Sequence, residues 1–160
     1  MESDYIKIVN GDLLLADEKY IVHQCNCVST NAKTLALQIF KKYPFSNSYQ
    51  QRNGDKTKFS KPGTIEIFCS DNNDKSIVNF YSQFYPSTPK YSNDSYIKRL
   101  NWFKECLNKL LEIKDIFKQK SIALPYNIGC GAAGGDWKDY FKILKDFAEQ
   151  YKIKLKLYKL

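Results

Sequence analysis

Polar and apolar residues alternate along Tyr5-Ile6-Lys7-Ile8-Val9, the period-two signature of a half-buried strand, and Asn10-Gly11 stops it. Asp12 stands before Leu13-Leu14-Leu15-Ala16, which reads as a short helical turn that Asp12 is free to cap. Tyr20 to Cys25 predicts a second strand ending at Asn26. After a polar connection, Leu35, Ala36, Ile39, Phe40 and Tyr43 recur at helical spacing until Pro44 closes the helix. Residues 45–61 are polar and predict a short helix followed by a surface loop. Thr64 to Cys69 and Ser76 to Phe84 predict strands on either side of the turn Asp71-Asn72-Asn73-Asp74. Tyr85-Pro86-Ser87-Thr88-Pro89-Lys90-Tyr91 is an aromatic and proline loop of the kind that walls a pocket. Leu100, Phe103, Leu107, Leu110 and Leu111 form the apolar stripe of the clearest helix. Ser121 to Leu124 is a short apolar strand. Trp137, Tyr140, Phe141, Leu144, Phe147, Ala148 and Tyr151 mark a helix that begins near Asp136 or Trp137. Ile153, Leu155 and Leu157 alternate with lysines as a final strand. Strands and helices interleave without repeat or linker. The expected class is α/β, a single three-layer α/β/α domain over residues 1–160 with a mixed sheet of about six strands.

Between the Ser121 strand and the Trp137 helix lies Pro125-Tyr126-Asn127-Ile128-Gly129-Cys130-Gly131-Ala132-Ala133-Gly134-Gly135-Asp136. A glycine-rich connection from strand to helix offers backbone N–H groups without intrahelical partners beside the positive end of a helix dipole, a ready phosphate site. The plainer alternative is a tight turn with a well-capped helix, Asp136 as N-cap and Asp139 completing a capping box. The spacing matches neither GxxxxGK[ST] nor a clean GxGxxG. The Asn26 connection is a second strand-to-helix loop. In α/β sheets ligands sit beyond the carboxyl ends of the strands, so the two loops can share one crevice and hold a diphosphate between them.

Composition narrows the partners only modestly. The chain has 160 residues, enough to bury about 70% of the surface its unfolded form exposes. No apolar run approaches the ~20 residues needed to cross a bilayer, and the first residues lack the pattern of a signal peptide. A cytoplasmic or nuclear monomer with no membrane partner is expected. Five cysteines at irregular spacing and a single histidine suggest neither a disulfide framework nor a metal site, and no cofactor is expected. A net charge of +8 favours acidic ligands and keeps a basic nucleic-acid-binding domain among the alternatives. Against this, Lys152, Lys154, Lys156 and Lys159 are spread as the solvated side of an amphipathic segment.

These residues together resemble the macrodomains, which bind ADP-ribose or process its derivatives. The resemblance runs through Val9-Asn10-Gly11-Asp12-Leu13, Ile21-Val22-His23-Gln24-Cys25-Asn26-Cys27, the loop from Pro125 to Trp137, and Leu157-Tyr158-Lys159-Leu160. It is nearest in look to the small macrodomains that include the ADP-ribose-1''-phosphate phosphatase and terminal ADP-ribose glycohydrolases. It implies that Asp12, with Leu13, accepts a hydrogen bond from the adenine amino group, that Asn26 lies at the distal ribose, and that Gly129, Cys130, Gly131, Ala132, Ala133 and Gly134 cradle the diphosphate. Tyr158 would lie near the adenine, although an aromatic on a terminal strand is commonly core. Ala32-Lys33-Thr34 stand where many relatives carry glycines, so Thr34 brings a Cβ toward the phosphate and Lys33 could compensate by its charge. The lysine and aspartate that terminal glycohydrolases use fall on Gln83 and Ala133, which argues against a lysine-based route.

Two groups remain for proton work. His23 resembles a histidine of the phosphatase, and an imidazole can activate water near neutral pH; a strand histidine is more often packed and satisfied. Asp136 could act as base or orient water, or serve only as N-cap. Cys130 has no basic neighbour and is not a candidate nucleophile. The expected function is binding of ADP-ribose with hydrolysis of a derivative, either ADP-ribose-1''-phosphate or an ADP-ribosyl linkage on protein or nucleic acid. The alternative is a reader without turnover.

Overall fold

The computed structural model describes residues 3–160. Six strands form one sheet: β1 (Ile6–Asn10), β2 (Tyr20–Asn26), β3 (Thr64–Cys69), β4 (Ser76–Gln83), β5 (Ile122–Pro125) and β6 (Leu155–Lys159). Their order across the sheet is β1-β6-β5-β2-β4-β3. All neighbours are parallel except β3, which runs antiparallel to β4 at one edge. The sheet is therefore mixed, as expected. Among the described residues, no helix is long and apolar enough to cross a membrane.

Parallel strands need helical crossovers, and these cover both faces. The α-helices are α1 (Thr34–Lys42), α2 (Ser48–Arg52), α3 (Tyr96–Leu110) and α4 (Trp137–Tyr151). β2 shows how the layers are sorted. Tyr20 and Val22 point into a core shared with Phe103, Leu107, Leu144 and Phe147 of α3 and α4. Ile21 and Cys25, on the other face, join Ile39, Phe40 and Tyr49 of α1 and α2. The strand is buried on both sides, so Tyr20, Ile21 and Val22 run as consecutive apolar residues rather than alternating with polar ones. Replacing one of these fully buried side chains, such as Leu144 with alanine, is worth roughly 2–5 kcal/mol.

The consequence for function lies at one edge. Because β1, β6, β5, β2 and β4 are parallel, their carboxyl ends lie together. The chain therefore brings Gly11-Asp12, the glycine loop after Pro125, the turn at Asn26 and the loop after Gln83 to the same side, in that order.

Candidate functional site

A cleft of about 650 Å³ opens along this edge. The Asn26–Ala36 loop forms one wall and residues 125–133 the other, with Gln83, Pro86 and Ser87 at the end beyond β4.

In the glycine loop, Ile128, Cys130, Gly134 and Gly135 donate their amides to carbonyls of the loop itself, whereas Gly131, Ala132 and Ala133 have no acceptor among the described residues. Three successive amides on the cleft wall are thus without a protein acceptor, and consecutive free amides of this kind can bind an anion. The glycines divide by purpose. Gly129 has φ of +80°, and a Cβ there would come within 2.4 Å of the Tyr140 ring, so it is required by packing against α4. Gly131 has open space around its missing side chain.

The helix that addresses the cleft is not the one the glycine loop enters. Asp136 caps α4, its Oδ1 accepting from the Lys138 amide at 3.0 Å, and neither residue lines the cleft. Asp139 does not complete a capping box, for its carboxylate accepts the Tyr96 hydroxyl. The start of α1 has no side-chain cap, and Thr34, Leu35 and Ala36 all line the cleft. Their amides precede the first intrahelical acceptor, so the positive end of the α1 dipole faces the space between the loops. Thr34 takes φ of +51°, a left-handed conformation rarely adopted by a β-branched residue.

Asn26 is 7% exposed, and its Oδ1 accepts from the amides of Val28 at 3.1 Å and Ser29 at 2.8 Å. Two donors fix that atom as oxygen, which leaves Nδ2 as a donor at the cleft wall. The turn is held from behind by Arg52, a residue sequence reasoning missed. Its guanidinium donates to the carbonyls of Ser29 and Asn26, both at 2.9 Å, and to Ser60 Oγ at 2.8 Å. It stacks on Tyr49 at 4.8 Å. Arg52 is 2% exposed and has no carboxylate partner among the described residues, so an unneutralised cation sits behind the wall. A second buried arginine, Arg99, grips Asp94 through Nε and Nη2 at 2.8 and 2.7 Å and donates to the carbonyls of Ser87 at 2.7 Å and Ala133 at 3.4 Å. It ties the proline loop to the glycine loop. Neither arginine carries a local sequence signature; only the fold brings them to the loops.

The remaining expected residues divide as follows. Asn26, Lys33, Thr34, Gly129, Gly131, Ala132 and Ala133 line the cleft. Asp12 caps its 3-10 turn through the Leu14 amide at 2.9 Å, at the β1 end of the same edge but outside the lining; Leu13 is buried. Ala32 packs against the α1 side of the core, and Gly134 lies against Thr88. The ring of Tyr158 covers Gly11, and its hydroxyl is bonded to Glu18. Cys130 also lies outside the lining. Burial, with the Asp136 and Asp139 charges, pushes its thiol up to about 12, which keeps it protonated.

His23 is 1% exposed, between Asn79, which bonds its Nε2 at 2.7 Å, and the Phe40 ring. Burial lowers its pKa to about 4, only partly opposed by the Asn79 bond, so the imidazole is neutral at pH 7. The geometry therefore corrects the expectation of proton work by His23: it is a packed core residue without access to the cleft. Asp136, exposed and engaged as a cap, likewise stands outside the lining. Gln83 does line the cleft, with both ends of its amide occupied: Oε1 accepts from Gln24 at 2.6 Å, and Nε2 donates to the Tyr85 carbonyl at 2.9 Å. The lining contains no carboxylate and no imidazole, and Lys33 is its one charged side chain. Among the described residues, no group of three or more His, Cys, Asp or Glu is placed to hold a metal.

The architecture has clear relatives among solved structures. The macrodomain of Mycobacterium tuberculosis DarG superposes with a TM-score of 0.74 at 24% identity, covering 96% of each chain, and that of Thermus aquaticus DarG with 0.71 at 22%, covering 97% of this chain and 98% of the other. The fold is that of a macrodomain. Thermosipho africanus DarTG, solved in complex with ADP-ribose, matches with a TM-score of 0.73 at 16% identity over 99% of this chain and 42% of that chain. In sequence, proteins named DNA ADP-ribosyl glycohydrolase from Mycobacterium bovis and Mycobacterium tuberculosis are each 29% identical over 138 residues. The match takes in 81% of this chain and only 35% of theirs. No protein-family model matches the sequence.

Proposed function

We propose that this macrodomain binds ADP-ribose along the carboxyl-edge cleft and hydrolyses an ADP-ribosyl linkage on a macromolecule. The observation that carries the reading is the pair of opposed donor sets, the amides of Gly131, Ala132 and Ala133 on one wall and the uncapped start of α1 on the other. A diphosphate is the group that two such sets, backed by the buried Arg52 cation, would hold. In this reading Asp12 accepts from the adenine amino group at the β1 end and Asn26 Nδ2 donates to the distal ribose. The ADP-ribose in the Thermosipho africanus complex and the names of the mycobacterial relatives support the ligand and the reaction class.

The chemistry is substrate-assisted, because no acid or imidazole lines the cleft. Water adds to the anomeric carbon of the distal ribose as the bond to the leaving group breaks; the water gives up one proton and the leaving atom takes up one, so the products are ADP-ribose and the unmodified macromolecule. The substrate's own phosphates stabilise the cationic centre, the amides of the two walls hold those phosphates in place, and Lys33 is the one charged side chain lining the cleft. The same lack of a proton-transfer group favours one second reading, a reader that holds ADP-ribose without turnover.

The test is calorimetry with ADP-ribose beside release of ADP-ribose from an ADP-ribosylated oligonucleotide and of phosphate from ADP-ribose-1''-phosphate. Binding with release from the oligonucleotide is the expected result. Phosphate release alone would identify a phosphatase, binding without any release a reader, and absence of binding would end the proposal. Asp12→Asn separates the two roles of Asp12. The asparagine side-chain oxygen keeps the cap, so the unfolding midpoint should hold, while the loss of charge at the adenine amino group should weaken ADP-ribose severalfold.

A further inference from the structure

Beside the β4 end of the cleft, where Gln83, Pro86 and Ser87 line it, lies a row of aromatic rings. Phe59 meets Phe84 edge-on at 6.1 Å between centroids, Phe84 meets Tyr85 at 4.8 Å, and Tyr85 meets Tyr91 at 4.9 Å. The row begins against the core, where Phe84 packs, and ends at Tyr91, which is 58% exposed. Its base is rigid: the Phe84 and Tyr85 amides donate to the carboxylate of Asp94, which Arg99 holds. The flanking residues are cationic. Lys58 and Lys61 stand on either side of Phe59, Lys90 precedes Tyr91, and all three are exposed. Residues 84–93 contain no acid, and the charge of Asp94 is already matched by Arg99.

We propose that this row is a stacking ledge for single-stranded nucleic acid, which holds the nucleotides flanking an ADP-ribosylated base. The orientation rests on the cleft reading above. The sheet order puts Asp12 at the β1 end and Gln83 at the β4 end, so the distal ribose and whatever it is attached to leave the cleft beside the ledge. The exposed Tyr91 ring suits a base and the exposed lysines beside Phe59 and Tyr91 suit phosphates, because every base has a π-face and every nucleotide a charge. The overall charge of +8 acts in the same sense.

The test is fluorescence anisotropy with an unmodified oligothymidylate, paired with calorimetry for ADP-ribose, on the wild type, Tyr91→Ala, Tyr91→Phe and a Lys58→Gln/Lys61→Gln/Lys90→Gln variant. Tyr91→Ala should weaken the oligonucleotide about tenfold, the loss of one stacked base, while Tyr91→Phe retains affinity and ADP-ribose binding does not change. The triple glutamine variant should lower the salt slope of oligonucleotide binding by about two. Equal affinity of wild type and Tyr91→Ala, or no oligonucleotide binding by the wild type, would overturn the ledge. A Tyr91→Ala loss confined to an ADP-ribosylated peptide would also overturn it, in favour of a protein substrate. Tyr91-dependent oligonucleotide binding without any ADP-ribose binding would keep the ledge and remove the cleft reading.

Discussion

Thr34 carries a β-branched side chain at φ of +51° on the wall of the cleft, a backbone state that costs of order 1–3 kcal/mol for such a residue. Glycine would remove that strain and lose roughly 0.5–1 kcal/mol through its greater freedom in the unfolded chain. Thr34→Gly should therefore stabilise the protein by about 1 kcal/mol, read as a higher urea midpoint, and tighten ADP-ribose by removing the Cβ beside the α1 amides. A lower midpoint would mean that Thr34 is not strained. His23 yields a second prediction with a definite sign. Its folded-state pKa, about 4, lies below the ordinary 6.5, so between those values the unfolded chain binds more protons. The stabilisation is complete above pH 6.5 and is lost as pH falls toward 4, at up to about 1.4 kcal/mol per unit. His23→Gln should flatten unfolding free energy against pH in that window, whatever it does to stability at pH 7, and leave ADP-ribose binding in place. The chain's single histidine attracts a catalytic reading because the sequence shows its type but not its burial. Asn79 and Phe40, which enclose it, come from β4 and α1.

Elements were more legible than their alliances. All six strands and the main helices follow from periodicity and breakers, because hydrophobic spacing and residues such as Pro44 act locally. The glycine loop was likewise legible as a strand-to-helix connection, and part of it forms one wall of the cleft. What periodicity could not show is which helix begins at the cleft. Asp136 caps α4, while α1 begins uncapped because Lys33, at its N-cap, supplies no acceptor. The two arginines were illegible for the same reason: Arg52 reaches back from α2 to the Asn26 turn, and Arg99 joins loops on either side of α3. Asp94→Asn tests the latter connection. Removing one charge from a buried pair leaves the other uncompensated and should cost roughly 3–5 kcal/mol by chemical unfolding. The same change should weaken ADP-ribose if it binds as proposed, because Arg99 also bonds the Ala133 carbonyl in the glycine-loop wall of the cleft. Unchanged affinity in a folded Asp94→Asn protein would show that the proline loop and the glycine loop are independent.

At the scale of the molecule, the question is where a basic protein places an anion. The sheet has two open edges of opposite chemistry. At the amino ends of β1, β5 and β6 a groove of about 350 Å³ is lined by Lys7, Lys120, Lys154 and Lys156, with Asp4 among them. At the carboxyl ends the larger cleft has Lys33 alone, together with two sets of backbone donors and the start of α1. Counting charges favours the first edge. Physics favours the second, because lysine ammonium groups on a surface are well hydrated and screened by salt, whereas fixed amides and a helix dipole are oriented before the ligand arrives. Hydrogen exchange with saturating ADP-ribose decides between them. Protection should appear at the amides of Gly131, Ala132 and Ala133 and of Thr34, Leu35 and Ala36, with little change over residues 3–7 and 154–156. Affinity should fall only modestly between low and physiological salt, since few lysines take part. Protection centred on the amino-end groove, with a steep salt dependence, would move the ligand to the lysines and make the glycine loop a structural turn.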